Sequence, residues 1–260
     1  MKIADVVSYL NERFHPEYQE DYDNSGFLVG NADSECRGVL VALDVTPQVI
    51  DEALSLHFNM IVTHHPLIFS GVKRITADTM LGGMLYKLIA NDIAVYAAHT
   101  NLDNLKDGVN GALAAKLHLS DCRILRAMDA EGNLGAGMVG HLPQPLPLDD
   151  FLLQVKQTLG LSVVRTSLPC RRQVQTVAIC GGSGAFLIGD AIRAQADIFL
   201  TADLKYHDFQ KAEQCIVIAD IGHYESEQYA KDLICSVISQ KFSTFACRIS
   251  KSTNSYIRYF

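Results

Sequence analysis

"MIVTHHP", residues 60–66, decides how the rest of the chain is read. Met60, Ile61 and Val62 form an unbroken apolar run, which reads as a strand buried on both faces. Successive strand residues point to opposite faces. His64 and His65 therefore serve one site only if the strand ends there and the backbone turns. Pro66 supplies that ending, because it has no N–H to give a ladder and restricts the residue before it. The ordinary alternative is one packed and one exposed histidine. Similar polar strand ends elsewhere in the chain argue against it.

Working outward, the first half alternates. Residues 3–14 read as a helix and "GVLVALDVT" (38–46) as a strand ending at Asp44. "PQVIDEALSLHF" (47–58) is a helix with Pro47 in its first turn. "TMLGGMLYKLIAND" (79–92) is helical, "IAVYAAHTNLDN" (93–104) is a strand ending in His99 and Asp103, and "GVNGALAAKLHL" (108–119) is a helix. This βαβαβα rhythm predicts an α/β fold with parallel crossovers. Glycines and prolines cluster in "EGNLGAGMVGHLPQPLP" (131–147), which predicts a lobe boundary nearby. The expected division is a first α/β lobe over 1–125 and a second over 126–260, with the C-terminal segment able to pack on the first. The rhythm resumes beyond it, with strand ends at "CGGSG", "LTADLKYHD" and "DIGHYESEQ". In open α/β sheets ligands bind beyond the carboxyl ends of strands, so those ends are where chemistry is sought.

Bulk composition narrows the class. The chain has 260 residues, 48% hydrophobic and 20% charged, with a formal charge of −7. The acidic balance argues against a broad grip on nucleic acid or a membrane surface. No apolar run is long enough to span a bilayer. The first helix carries Asp5 and Glu12, unlike a signal peptide. Seven cysteines without CxxC spacing point to free thiols in a reducing cytoplasm and away from a cysteine zinc site.

The ionisable residues at the strand ends form a ligand set. Asp103 lies four residues beyond His99, and a carboxylate beside imidazoles suits a divalent ion, although an aspartate there is commonly a turn or cap residue. In "DIGHYESEQ" Gly222 turns the chain, and His223 and Glu227 share a face if a helix starts at His223. Glu225 competes as a ligand if the segment is not helical. His64, His65, Asp103, His223 and Glu227 are too many for one open catalytic metal. They suit two divalent ions, of the kind Zn, Mn, Fe, Co or Ni. The loop Gly181, Gly182, Ser183, Gly184 before a helix is a candidate phosphate cradle, with a ligand-free tight turn as the alternative. Lys205 and His207 after the next strand are candidates for phosphate binding or proton transfer.

"DNSGFLVG", "LDVT", "VTHHPLIF", "AAHTNLDN", "CGGSG", "LTADLKYHD" and "DIGHYESEQ", in this order, closely resemble the GTP cyclohydrolase I type 2 homologues, also called the NIF-three-like family. The resemblance runs over nearly the whole chain. It implies two intertwined α/β lobes with a dinuclear metal site in the cleft between them, and a toroidal homohexamer. It carries metal-ligand roles onto the same five residues. Many bacterial members carry an extra domain between the halves; here only the glycine- and proline-rich stretch near 127–147 is available for it, so its absence is expected. Ala202 stands where a glycine is common. The implied reaction is hydrolytic opening of the GTP imidazole ring with release of formate, for which His99 or His207 would move protons and Lys205 with the glycine loop would hold phosphates. The alternative that the resemblance carries is a non-catalytic metal-binding scaffold or metallochaperone with protein partners. A third, processing of nucleic acid inside a ring, is disfavoured by the charge.

Overall fold

The computed structural model of the protein describes residues 1–252 and 255–260. In chain order the first elements are α1 (Ile3–Phe14), β1 (Gly26–Val29), β2 (Val39–Ala42), α2 (Pro47–Ser55), β3 (Met60–Thr63), α3 (Met80–Ala90), β4 (Ala94–Ala97), α4 (Thr100–Asp103) and α5 (Val109–Lys116). They continue as β5 (Ser120–Ala127), β6 (Gly135–Pro147), α6 (Leu148–Leu159), β7 (Arg165–Thr166), β8 (Gln173–Ser183), α7 (Ile188–Arg193), β9 (Ile198–Ala202), α8 (Tyr206–Gln210), β10 (Val217–Asp220), α9 (His223–Glu227), α10 (Ala230–Lys241) and β11 (Cys247–Ile249). The fold is mixed α/β with two sheets. The chain divides into one unit of Met1–Leu102 with Ala230–Asn254, and a second of Asp103–Tyr229 with Ser255–Phe260.

The first unit holds a five-stranded sheet in the order β1-β4-β3-β2-β11. All its neighbours pair in parallel except β1, which runs antiparallel to β4. Every residue of β2, β3 and β4 is buried. Each fully buried aliphatic side chain there contributes roughly 1.5–3 kcal/mol of hydrophobic stabilisation. Helix α2 starts where the sequence predicts, with Thr46 Oγ1 accepting from the Val49 N–H at 3.1 Å and Pro47 in the first turn. Its apolar face, Val49, Ile50 and Ala53, packs with Leu40 and Ile61 of the sheet and Leu85 and Leu88 of α3. Ala42 pairs with Thr63, and Thr63 with Ala97. The carboxyl ends of β2, β3 and β4 are therefore level, so the residues just past each emerge at one edge.

The second unit holds a six-stranded sheet in the order β5-β6-β8-β9-β10-β7. Its central strands β8, β9 and β10 are parallel, and β5, β6 and β7 pair antiparallel with their neighbours. One core cluster contains Leu113 of α5 and Phe151, Val155 and Leu159 of α6. Another contains Ile188 and Ala191 of α7. The register again levels the carboxyl ends: Ser183 lies opposite Ala202, and Thr201 opposite Asp220.

The glycine- and proline-rich stretch lies within the second unit, where residues 135–147 are strand β6, paired with β5 and β8. Prolines gather at its far end, where the register shifts between His141 and Leu146. The expected parallel crossovers join β11, β2, β3 and β4 in one sheet and β8, β9 and β10 in the other, while β1, β5, β6 and β7 pair antiparallel in the outer parts of the sheets.

Candidate functional site

In the first unit three imidazoles meet past the level strand ends. The strand stops at Thr63 because the chain turns. The Thr63 hydroxyl donates to the His65 carbonyl at 2.7 Å, and the His65 N–H donates to the Leu43 carbonyl at 2.9 Å. The turn lets adjacent residues share one side: the His64 and His65 ring centres are 5.0 Å apart. His99, just past β4, lies 5.3 Å from His64 and 5.5 Å from His65, ring centre to ring centre.

Each ring is held through the same nitrogen. His64 Nδ1 donates to the Ala98 carbonyl at 2.7 Å, His65 Nδ1 to Asp44 Oδ1 at 2.9 Å, and His99 Nδ1 to Asp23 Oδ1 at 2.7 Å. A carbonyl or carboxylate oxygen only accepts, so the proton of each neutral ring sits on Nδ1 and the lone pair on Nε2. This oxygen-backed arrangement is the one that orients imidazole ligands around metals. Asp23 is fully enclosed at the side chain and also accepts from the Thr100 N–H at 3.0 Å and the Ser25 hydroxyl at 3.1 Å. Burial alone pushes its carboxyl up. Hydrogen bonds from His99 and Thr100 outweigh burial and hold it well below the usual carboxylate range.

In the second unit a short helix carries His223 and Glu227. Gly222, at φ 81°, makes the turn from β10 that a side chain would resist. Helix α9 then places His223 and Glu227 one turn apart, with Nε2 and Oε2 2.9 Å from each other. Glu227, not Glu225, is thus the glutamate beside the His223 ring. His223 Nδ1 lies 2.7 Å from Asp203 Oδ2, so this imidazole too is backed by oxygen. Asp103, at the end of α4, has its carbonyl held by the Asn110 amide at 3.1 Å.

Strand β8 fits against α9. A Cβ at Gly182, whose φ is 59°, would stand 2.1 Å from Glu227 Oε1. The Gly182 N–H donates to Ser226 Oγ at 3.0 Å and the Gly181 N–H to Asn110 Oδ1 at 2.9 Å. This corrects the phosphate reading of Gly181, Gly182, Ser183 and Gly184. Gly181, Gly182 and Ser183 belong to a strand, and the N–H groups of the two glycines are spent on protein acceptors. Gly184 lies against Thr201 Oγ1 and the Cys180 side chain. The glycines are small so that the carboxylate of Glu227 can approach. Burial first, then the charges of Asp103 and Glu227, push the neighbouring Cys180 thiol far up, which keeps it protonated.

Lys205 and His207 are exposed at the head of α8. The residue of that segment that touches a ligand candidate is Asp203. Asp23, Asp44 and Asp203 all lie within motifs visible in the sequence, and each backs a histidine. Their signal was position: aspartates within two residues of a strand's carboxyl end (Asp44 and Asp203), or in the loop entering β1 (Asp23). Asn110 and Ser226 left no local signal.

A model of the Duf34/NIF3 family (NGG1p interacting factor 3) matches residues 1–255. A Clostridium perfringens protein named "GTP cyclohydrolase 1 type 2 homolog" is 34% identical over 230 residues, covering 87% of each chain. Among solved structures, the Bacillus cereus protein related to NIF3 is similar with a TM-score of 0.94 at 25% identity, over 100% of this chain and 99% of that one. The Staphylococcus aureus protein SA1388 is similar with a TM-score of 0.92 at 29% identity, with the same coverage.

Proposed function

The chain belongs to the Duf34/NIF3 family, and on that premise we propose that it is a dinuclear, divalent-metal-dependent hydrolase of a nucleotide or another phosphorylated small molecule. The proposed ligands are His64, His65, Asp103, His223 and Glu227, with His64 and His65 each serving a different ion. The observation that carries the reading is the common fastening of the histidines: each has Nδ1 on an oxygen, which directs Nε2 toward a ligand role. Imidazole nitrogens and carboxylate oxygens are the donors that Zn, Mn, Fe, Co or Ni accept.

Divalent ions at such a set lower the pKa of bound water and stabilise charge developing on a substrate oxygen. The chain's own part is orientation and proton transfer. His99 is backed by Asp23, so its Nε2 is the atom that takes a proton, and Asp23 stabilises the imidazolium that results. This gives His99 the proton role. His207 and Lys205, exposed on α8, are proposed to meet the substrate's phosphates.

GTP is the first substrate to test, with ring opening and formate release as the reaction, because the relatives' names contain it. We propose the cytoplasm as the compartment and a toroidal homohexamer as the assembly, which light scattering of the purified protein reads as six chain masses. Among the described residues no helix is long and apolar enough to cross a membrane. The test of activity is turnover of GTP, other nucleotides and simple phosphoesters by protein reconstituted with each metal. Formate release or phosphoester cleavage that His99→Gln abolishes while leaving metal bound supports the proposal. Metal-loaded protein inert toward the whole panel overturns the enzyme reading and favours a metal-binding scaffold.

A further inference from the structure

Two of the seven cysteines meet away from the histidines. Cys235 lies on α10, and Cys247 opens the edge strand β11 twelve residues later; their sulfurs are 3.6 Å apart. Both are half-buried, within the first unit. Cys247 pairs with Val39 at the start of β2. The pair therefore sits at the amino end of the parallel strands, whereas His64, His65 and His99 follow their carboxyl ends.

The two thiols differ in character. The hydrogen bond from Cys247 to the Cys235 sulfur is the main influence on Cys235. It outweighs burial, with Ser239 assisting and Asp232 opposing, and brings the Cys235 thiol down to about 7. The same shared hydrogen bond, followed by burial and the adjacent Cys235 charge, pushes Cys247 up and keeps its proton. Cys36, by contrast, is raised to about 11, and Cys122 and Cys180 are raised as well, chiefly by burial. A thiolate with a protonated thiol against it is the arrangement of an attacking and a resolving cysteine.

We propose that Cys235 and Cys247 form a peroxide-responsive thiol pair that closes to a disulfide and staples the edge strand β11 to α10. The Cys235 thiolate attacks one oxygen of a hydroperoxide. The S–O bond forms, the O–O bond breaks, and the leaving hydroxide takes a proton to become water. The Cys247 sulfur then attacks the Cys235 sulfur. The S–S bond forms, the S–O bond breaks, and the hydroxyl leaves as water with the Cys247 proton. Two electrons pass from the two thiols to the peroxide. The sulfurs must approach by about 1.5 Å to reach a disulfide length of about 2.05 Å. The turn between α10 and β11 allows this, since Cys247 begins its strand.

Trypsin cuts after Lys231, Lys241 and Arg248, which puts the two cysteines in separate peptides, 232–241 and 242–248. The full-length protein is treated with hydrogen peroxide, its remaining thiols are alkylated, and the digest is weighed. The expected result is a cross-linked pair of these peptides that dithiothreitol reverses, with titratable thiols in denaturant falling from seven to five. In Cys247→Ser the sulfenic acid on Cys235 has no resolving partner, so dimedone captures it. Recovery of both peptides separately, each alkylated, overturns the proposal. So does a cross-link to Cys36 in place of this pair, or Cys235 taken to sulfinic acid while Cys247 stays alkylated. The wild-type digest decides the question even if the variant folds poorly.

Discussion

The first and second units fasten their ionisable groups by different means. In the first, three histidines come from two parallel strand ends, and the clamps are a backbone carbonyl and two aspartates from other parts of the unit. In the second, His223 and Glu227 come from one five-residue helix, and a glycine strand shapes the space around the carboxylate. The first unit offers nitrogen and hides its carboxylates behind it. The second keeps Asp203 behind His223 but sets Glu227 directly beside that ring. A parallel sheet can gather residues far apart in sequence, provided its strand ends are level. A helix gathers residues four apart by its own period, so its weak point is the neighbour that must leave room for it.

Breaking the second unit's device has the largest expected effect. Gly182→Val adds a branched side chain at positive φ against Glu227. The cost is about 3 kcal/mol from strain and collision, a fall in Tm of roughly 6–12 °C. Calorimetry checks this, and a variant melting like the wild type would refute the cradle. Removing clamps sharpens the comparison between units. Asp44→Ala loosens His65 and Asp203→Ala loosens His223, and each is expected to weaken metal affinity about 10–100-fold. Competition with a chelator measures both. Asp44 is the less exposed of the two, so its loss should be the greater.

Most of the frame was legible because hydrophobic pattern and turn chemistry are local. Thr46-Pro47 starts α2 as its sequence says, and the alternating strands and helices deliver the α/β class. His64 and His65 were legible because Pro66 announces the strand end. His223 and Glu227 were legible because helical period is a property of spacing alone. Asp23 and Asn110 were not, because each acts across the fold: Asp23 on His99, 76 residues away, and Asn110 on Gly181, 71 residues away. The glycine loop misled for the same reason. Glycines that let a phosphate approach and glycines that let a glutamate approach look alike until the partner of each N–H is known. The β5–β6 hairpin was hidden because glycines and prolines that mark a linker also mark a bulged, twisted outer strand.

Two smaller effects separate fold from site. Thr46→Ala removes a helix cap far in role from the ligands and should cost about 1 kcal/mol with metal content unchanged. Equilibrium unfolding with metal analysis tests both halves of that statement. Asp190 is opposed by burial but held down by hydrogen bonds from Arg126 and Arg193, so its folded pKa lies below its unfolded value of about 4. Its contribution is present above that unfolded value and is lost as the pH falls toward the folded one. Because the arginines are substantially exposed, Asp190→Asn should cost less than about 1 kcal/mol at pH 7. The difference from wild type should shrink below pH 4, and melting curves across that range would show it.

His64, His65, Asp103, His223 and Glu227 are proposed to hold metal. Elemental analysis of gently purified protein, before and after reconstitution and again in His223→Ala, tests this most directly. Two divalent transition-metal ions per chain are expected in the wild type and fewer in the variant. No transition metal in the wild type after reconstitution would contradict the proposal.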